Sequence, residues 1–230
     1  MKVCAIMQPT YLPWAGYFNL IAAADIFVFL DDAQLQKNSW HNRNRLLVNH
    51  MPHWISVPVL RNSLSQCINE SLLDTTQHWQ KKHVKLLRQT YSKHPFADDA
   101  LSICSLIEEA NLNNLADLNM SIIQGLLEKL GIRTEIYLAS AKGVKGKRTM
   151  RLVELLQQLQ VDCYLSPKGA EDYLEQDDFT GQTAINLCYQ EFNPAPYTQY
   201  QHQPFVSNLS IVDVVANIGW GATRQYILQN

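Results

Sequence analysis

Apolar residues along this chain follow two periodicities, and each predicts a different element. Short continuous apolar runs are typical of buried strands, whereas apolar residues spaced three and four apart indicate helices. The predicted strands lie at 2–7, 25–32, 54–59, 133–140, 162–167 and 183–192. The predicted helices outside the middle of the chain lie at 15–24, 148–160, 170–176 and 209–228. Strands of this kind alternating with helices predict an α/β fold whose parallel sheet is buried on both faces.

The stretch from about 76 to 130 breaks that alternation. Three segments in it have helical spacing, with few strand signals between them, and Gly131 is well suited to end the last helix. We therefore predict a helical insertion at 76–131 within a Rossmann-like sheet. The N-terminal part of the α/β domain would span 1–75 and its C-terminal part 132–230.

Composition narrows the class of protein. The chain has 230 residues and a formal charge of −2, so it lacks the global basic field that a nucleic-acid partner would favour. Its five cysteines form no CxxC pair, which favours reduced thiols over disulfides or a zinc site. No apolar run reaches the length of about 18 residues expected of a transmembrane helix, and no signal-peptide pattern opens the chain. We predict a cytoplasmic protein without membrane insertion.

The first candidate for chemistry is the turn between the first strand and the first helix. Two prolines and a glycine restrict its backbone, and aromatic side chains in it could stack on a base or a sugar ring. Its position at a strand-to-helix turn is where this architecture binds ligands. An aromatic loop packed on the domain is the alternative. The predicted binding residues here are Gln8, Tyr11, Trp14, Gly16 and Tyr17.

A strongly polar segment follows the second strand, at 30–47. Arg43 and Arg45 would face the same way in an extended chain, and two adjacent guanidinium groups suit a phosphate or carboxylate. A solvated loop or a structural ion-pair network is the alternative. Predicted catalytic residues are Asp31, Asp32, Lys37 and His41, with the aspartates as base, ribose ligand or ligands of a Mg²⁺ ion. Predicted binding residues are Gln34, Trp40, Asn42, Arg43, Asn44 and Arg45.

A basic, glycine-containing loop at 140–151 leads into a helix near Thr149. Glycine lets a backbone approach an anion, and a helix N-terminus favours negative charge. The spacing is not that of a Walker A loop, and a solvated basic loop is the alternative. Predicted phosphate-binding residues are Lys145, Lys147, Arg148, Thr149 and Arg151, with Ser166 at the end of a neighbouring strand. The histidines do not recur at metal-ligand intervals, so no metal site is predicted beyond the Mg²⁺ ion that the two aspartates could hold.

Several stretches together resemble the WbqC-like proteins. They are QPTYLPWAGYFNLIAAADIFVFLDDAQLQKNSWHNRNRLL, WISVPV, YLSPKGAEDYL and LSIVDVVANIG, and the resemblance covers most of the chain. Such proteins are bacterial and are often encoded among genes for O-antigen and other surface polysaccharides. The resemblance implies a cytosolic enzyme that modifies a nucleotide-linked sugar.

The strand, the P-x-x-x-G turn and the helix that follows also resemble the HIGH-type nucleotidyltransferases, which implies a HUP-type Rossmann-like fold. The H-x-G-H motif of those proteins aligns with Trp14, Ala15, Gly16 and Tyr17, so both histidines are missing. Nucleotide binding through backbone N–H groups and basic side chains would survive that loss. We expect a transferase or ligase of surface-polysaccharide sugars that binds a nucleotide or nucleotide-sugar and moves an acyl or aminoacyl group to an amino sugar. The alternative is a non-catalytic nucleotide-binding or scaffold protein.

Overall fold

The computed structural model describes residues 1–229. Its strands are β1 (Val3–Met7), β2 (Ile26–Phe29), β3 (Arg43–Val48), β4 (Met51–Ser56), β5 (Glu135–Leu138), β6 (Cys163–Ser166) and β7 (Asn186–Tyr189). Its helices are α1 (Ala15–Ala22), α2 (Trp79–Tyr91), α3 (Ala97–Leu101), α4 (Ile103–Glu108), α5 (Leu115–Leu130), α6 (Arg148–Gln158), α7 (Glu171–Gln176), α8 (Phe179–Gln182) and α9 (Ile211–Leu228).

Five strands form one parallel sheet in the order β5-β2-β1-β6-β7. Counted along the chain, that order is third, second, first, fourth and fifth, which is the order of the doubly wound Rossmann-like folds. The direction of winding reverses between β1 and β6, and ligands bind in such sheets at the carboxyl ends of the strands at this reversal. The predicted Rossmann-like parallel sheet is confirmed.

Both faces of the sheet are covered, as the continuous apolar runs predict. Alternate residues of β2 enter different cores: Phe27 and Phe29 join one cluster, and Ile26 and Val28 the other. The first cluster includes side chains of α1, α5 and α9, and the second includes side chains of α6, α7 and α8. The sheet is therefore the middle of three layers, and its edges at the strand ends are the surfaces left for a ligand.

The helices α2 to α5 fall within the predicted insertion at 76–131. The side chain of Asn114 accepts hydrogen bonds from the first turn of α5, and Gly131 ends that helix at a φ of +64°. Side chains of α2 and α5 belong to the same core as α1 and α9. The inserted helices therefore pack on one face of the sheet, and the division of the chain into domains stays a prediction.

The prediction for residues 30–59 was partly wrong. A strand was expected at 54–59, after a loop, but β3 and β4 form an antiparallel hairpin with Arg45 opposite Trp54. Asn49 and His50 both have positive φ, as a two-residue hairpin turn requires. β3 begins with polar residues, so its sequence does not show the alternation of apolar and polar residues that is typical of a strand. The turn also lacks the glycine that normally signals such a hairpin.

Gly219 interrupts the helical backbone of α9, and its substitution tests whether this break requires a glycine. Its φ is +72°, and a Cβ there would lie 2.6 Å from Cδ1 of Phe96. We expect Gly219→Ala to lower the free energy of unfolding by about 2 kcal/mol, because alanine disfavours this backbone and the added methyl displaces the ring. Urea denaturation measures the change. Gly221→Ala is the matched control, since a Cβ added at Gly221 would meet no neighbouring group within 4 Å. An equal loss of stability in both variants would contradict the explanation.

Across residues 1–229, no helix combines the length and the apolar character that crossing a bilayer requires.

Candidate functional site

Two adjoining cavities open at the carboxyl ends of the sheet strands. The larger cavity has a volume of about 700 Å³ and the smaller about 400 Å³. Met7, Gln8, Trp14 and Tyr17, from the end of β1 and the start of α1, line both cavities. The turn at 8–17 therefore forms the wall between two compartments at the reversal of the sheet.

Aromatic rings and side-chain amides dominate the larger cavity. It extends from β1 to the turn after β6, which places it at the point where Rossmann-like sheets bind ligands. Lys168 and Glu191 bring charge of both signs to its lining. Flat apolar faces beside amide groups suit a sugar or a nucleoside. The aromatic side chains are Trp14, Tyr17, Tyr164, Tyr173 and Phe192, and the amides belong to Gln8, Gln190 and Asn193.

The indole of Trp14 is held over the start of α1. A Cβ at Gly16 would lie 2.2 Å from Cζ2 of that indole, so only glycine leaves room for it. The ring of Phe192 packs against the indole with centroids 5.6 Å apart. The Nε2 of Gln190 donates to the carbonyl of Gly16 at 2.8 Å. Trp14 is therefore a fixed part of the wall.

Buried donors from three other elements fix the turn at 8–17. Nδ2 of Asn44 donates to the carbonyl of Leu12 at 2.7 Å, and Oγ of Ser210 donates to the same oxygen at 2.8 Å. Nδ2 of Asn119 donates to the carbonyl of Pro9 at 3.1 Å. Leu12 has a positive φ of 43°, a strained backbone that these bonds stabilise. The turn is preorganised before any ligand arrives.

The smaller cavity presents hydroxyl, amide and imidazole groups. Its polar lining comes from Gln8, Thr10, Gln36, Ser39, His41, Asn44 and Asn208, and Trp40 closes one side. His41 is buried, and its Nδ1 has no hydrogen-bond partner among residues 1–229. Burial lowers the pKa of His41 to about 4. The imidazole is therefore neutral at pH 7, and the residue lines a cavity whose other polar groups suit sugar hydroxyls.

The lowered pKa of His41 predicts acid sensitivity. Between pH 6.5 and about 4 the unfolded chain binds a proton at this histidine that the folded chain does not. The free energy of unfolding therefore falls as the pH is lowered through this window, by up to about 1.4 kcal/mol per pH unit. Burial also lowers the pKa of His83 to about 4, which adds a change of the same sign.

Urea denaturation from pH 7 to pH 4.5 measures this effect on the wild type and on His41→Gln. The variant keeps His83, so we expect its stability to fall less steeply with acid than that of the wild type. Parallel pH profiles would contradict the assignment of a depressed pKa to His41.

The two aspartates predicted as catalytic are engaged in structural contacts. Asp31 is buried and accepts hydrogen bonds from the backbone N–H of Ser140 at 3.1 Å and from Nδ2 of Asn69 at 3.3 Å. Asp32 forms an ion pair with Arg151. Neither lines the two cavities, and within residues 1–229 no three His, Cys, Asp or Glu side chains gather as a metal site would require. Asp31 therefore links the loop after β2 to the turn after β5, and Asp32 links the same loop to α6.

Two residues of the basic loop are bound to Asp177. The guanidinium of Arg148 lies 2.9 Å from Oδ1 of Asp177, and Oγ1 of Thr149 donates to its Oδ2 at 2.8 Å. Lys145 and Lys147 are exposed. Of the cations predicted to bind phosphate, the lysines are therefore the more accessible, whereas Arg148 and Arg151 have protein partners.

Other predicted binding residues lie outside the cavities or in the core. Tyr11 is fully buried, and its hydroxyl is hydrogen-bonded to Nδ1 of His83 at 2.9 Å. Ser166 is also fully buried. The side chains of Gln34 and Asn42 donate to the carbonyls of Leu64 and Val57. Lys37, Asn42 and Arg43 line a separate, more open cavity of about 350 Å³. Their positions after predicted strands suggested that they lie at the carboxyl edge of the sheet. In the fold their side chains instead are buried, bind other protein groups or line the separate cavity.

Several cavity residues were not predicted. Tyr173, Gln190, Phe192 and Asn208 reach the two cavities from parts of the chain remote from the turn at 8–17. Lys168, which also lines the larger cavity, lies at the sheet edge where the strand-turn-helix pattern at 164–174 places it, although it is not among the predicted binding residues. No comparable signal marks Phe192 or Asn208.

Comparison with known proteins identifies the family. The model of the WbqC-like protein family matches residues 8–225. The protein of Mycobacterium tuberculosis described as "Uncharacterized protein Rv1507c" is 33% identical over 223 residues, which cover 95% of each chain. No solved structure matches the chain, so the likeness to the HIGH-type nucleotidyltransferases stays a prediction. Because the family model matches most of the chain, this protein belongs to the WbqC-like protein family.

Proposed function

We propose that this protein is a cytoplasmic transferase or ligase of surface-polysaccharide sugar biosynthesis that binds a nucleotide or nucleotide-sugar. One observation carries the proposal: two cavities of different chemistry share a wall at the reversal of the sheet. Group transfer needs a donor and an acceptor held side by side. The shared wall of Gln8, Trp14 and Tyr17 would bring the two reacting ends together.

The larger cavity is the proposed place for the nucleotide or nucleotide-sugar. Its aromatic rings offer stacking surfaces and its amides offer donors and acceptors in fixed positions. Lys168, with Lys145 and Lys147 from the basic loop, would neutralise the phosphates. Because the lining itself carries little net charge, the uncharged part of the ligand would occupy the cavity and its phosphates would lie near the rim.

The smaller cavity is the proposed place for the acceptor, an amino sugar. In acyl transfer the amine forms a bond to the acyl carbon and the bond from that carbon to the leaving group breaks. The proton that the amine loses passes to the leaving group or to solvent. The neutral His41 would accept a hydrogen bond from the amine and orient it. An anionic group bound beside the imidazole would raise its pKa toward the range of a useful base.

Calorimetric titration with ATP, CoA, a UDP-sugar and a dTDP-sugar tests the proposal. We expect binding of at least one of them. Trp14→Leu should lose about tenfold in affinity, because it removes an aromatic ring that lines the larger cavity. Trp220→Leu removes an indole that lines neither cavity and is the matched control. Binding by none of the four ligands, or equal losses in both variants, would contradict the proposal.

The engaged aspartates and arginines favour a second candidate, a non-catalytic nucleotide-binding scaffold. Asp31, Asp32, Arg148 and Arg151 all have partners within the chain, so none of them depends on a substrate for its main polar contact. Replacing His41 by Gln separates the two candidates in cells that depend on the protein. An enzyme would lose its product while nucleotide binding persists, whereas a scaffold would keep the product profile of the wild type.

A further inference from the structure

Two tryptophans lie exposed beside the smaller cavity. Trp40 has a relative exposure of 45% and Trp54 of 41%, and their ring centroids are 5.1 Å apart. Large aromatic side chains that stay exposed as a group commonly mark a binding surface. We call Trp40, Trp54, Arg43 and Arg45 the tryptophan–arginine platform.

The arginines of β3 hold the rings in place. The guanidinium carbon of Arg43 lies 4.1 Å from the ring centroid of Trp54. That of Arg45 lies 5.7 Å from Trp40 and 5.9 Å from Trp54. The residues alternate along β3, so both side chains extend from the same face of the hairpin, as their spacing predicts. Cation–π contacts of this kind reduce the conformational entropy that a ligand would otherwise have to remove.

The platform carries positive charge that the protein leaves unbalanced. Among residues 1–229, no carboxylate lies within 4.0 Å of either guanidinium. Arg43 donates to the carbonyl of Asn38, and Arg45 lies 3.4 Å from the carbonyls of Ser207 and Asn208. The Nε atoms of both arginines are buried and have no hydrogen-bond partner. Each guanidinium has five N–H donors, and the donors left for an anion are those of the terminal nitrogens that these carbonyls do not use.

The platform is continuous with the smaller cavity. Trp40 belongs to both, and Asn208 lines the cavity while its carbonyl lies beside Arg45. A ligand on the rings could therefore extend toward the hydroxyl and amide groups of Thr10, Ser39 and Asn44. Those groups match the hydroxyls of a sugar, and tryptophan faces match the C–H surface of a sugar ring.

We propose that the platform binds a hexuronic-acid unit of an acidic saccharide. The C–H face of the pyranose would stack on Trp40 or Trp54, and its carboxylate would accept hydrogen bonds from Arg43 and Arg45. The next sugar unit would extend into the smaller cavity beside His41. The assignment of this saccharide as the acceptor rests on the proposed function, whereas its binding to the platform does not.

Calorimetric titration of the full chain with trigalacturonic acid tests the proposal, and an uncharged galactose trisaccharide serves as the comparison. We expect the uronate to bind and the neutral trisaccharide to bind at least about tenfold more weakly. Arg43→Gln and Trp54→Leu should each weaken uronate binding by about tenfold or more. Lys129→Gln, which removes the cation 5.7 Å from the ring of Trp220, is the matched control and should leave the affinity unchanged. Circular dichroism verifies that each variant folds. If Trp54→Leu does not fold, Arg43→Gln still tests the site.

The proposal is overturned if the uronate does not bind, or if both trisaccharides bind equally. It is also overturned if the two platform variants bind the uronate as the wild type does, or if single-stranded oligothymidylate displaces the uronate and binds more tightly. The same samples are titrated with ATP, CoA, a UDP-sugar and a dTDP-sugar. Uronate binding without nucleotide binding would contradict the proposed function but not uronate binding by the platform. Nucleotide binding without uronate binding would contradict uronate binding by the platform but not the proposed function.

Discussion

Asn119→Ala is expected to lower the free energy of unfolding by about 3 kcal/mol, because two buried carbonyl groups lose a shared donor. Nδ2 of Asn119 donates to the carbonyl of Pro9 at 3.1 Å and to the carbonyl of His41 at 2.7 Å. The side chain is fully buried, so water cannot replace it without opening the core. This one amide on α5 therefore joins the inserted helices to both loops that line the smaller cavity.

Urea denaturation measures the loss of stability, and calorimetric titration measures the accompanying loss of ligand affinity. Asn111→Ala is the matched control, because Asn111 is exposed just before α5. A loss below about 1 kcal/mol in Asn119→Ala would be close to that of an ordinary surface substitution. Such a result would show that the two loops hold their positions without the inserted helices.

Gly16→Ala is expected to weaken binding in the larger cavity by about tenfold or more. A methyl group at position 16 would lie 2.2 Å from Cζ2 of Trp14, so the indole must move. Phe192 packs against the indole, and the indole lines both cavities, so any movement of it alters the wall between them. The substitution therefore changes the wall of the site, while alanine suits the helical backbone of α1.

Binding of the ligand identified in the panel, measured together with the melting temperature, separates a local effect from a global one. Gly221→Ala is the control, since its methyl meets no atom within 4 Å. We expect Gly16→Ala to lose affinity and Gly221→Ala to keep it, with both proteins folded. Unchanged affinity in Gly16→Ala would mean that the position of Trp14 is unimportant for binding.

The sequence predicts the sheet and the edge at which the two candidate cavities open, but it does not predict the partners of individual side chains. The predicted strands include all five of the parallel sheet. The signal is strongest at β1 and β2, whose continuous apolar runs are buried on both faces. The turn after the first strand was placed correctly at the carboxyl edge. Local patterns suffice for these features, since each depends on residues near one another in the chain.

Polar residues were harder to assign, since their roles depend on distant partners. Asp32 is paired with Arg151 and Arg148 with Asp177, contacts that no local spacing reveals. Tyr11 and Trp14 are both aromatic residues of the turn at 8–17, yet the side chain of Tyr11 points into the core toward His83. Phe192 lies in the segment after β7 and lines the larger cavity. It is remote from Trp14 in the sequence and becomes its neighbour only in the folded chain.

The central claim is that a nucleotide-type ligand contacts the wall formed by Trp14. The chain has five tryptophans, and the indole N–H signal of each can be followed in a ¹⁵N-correlated spectrum, with that of Trp14 assigned from Trp14→Phe. Titration with ATP, CoA, a UDP-sugar and a dTDP-sugar should shift the Trp14 signal for at least one ligand and leave those of Trp79 and Trp220, which line neither cavity, in place. A Trp14 signal that stays unmoved by all four ligands, or that moves no more than those of Trp79 and Trp220, would contradict the account.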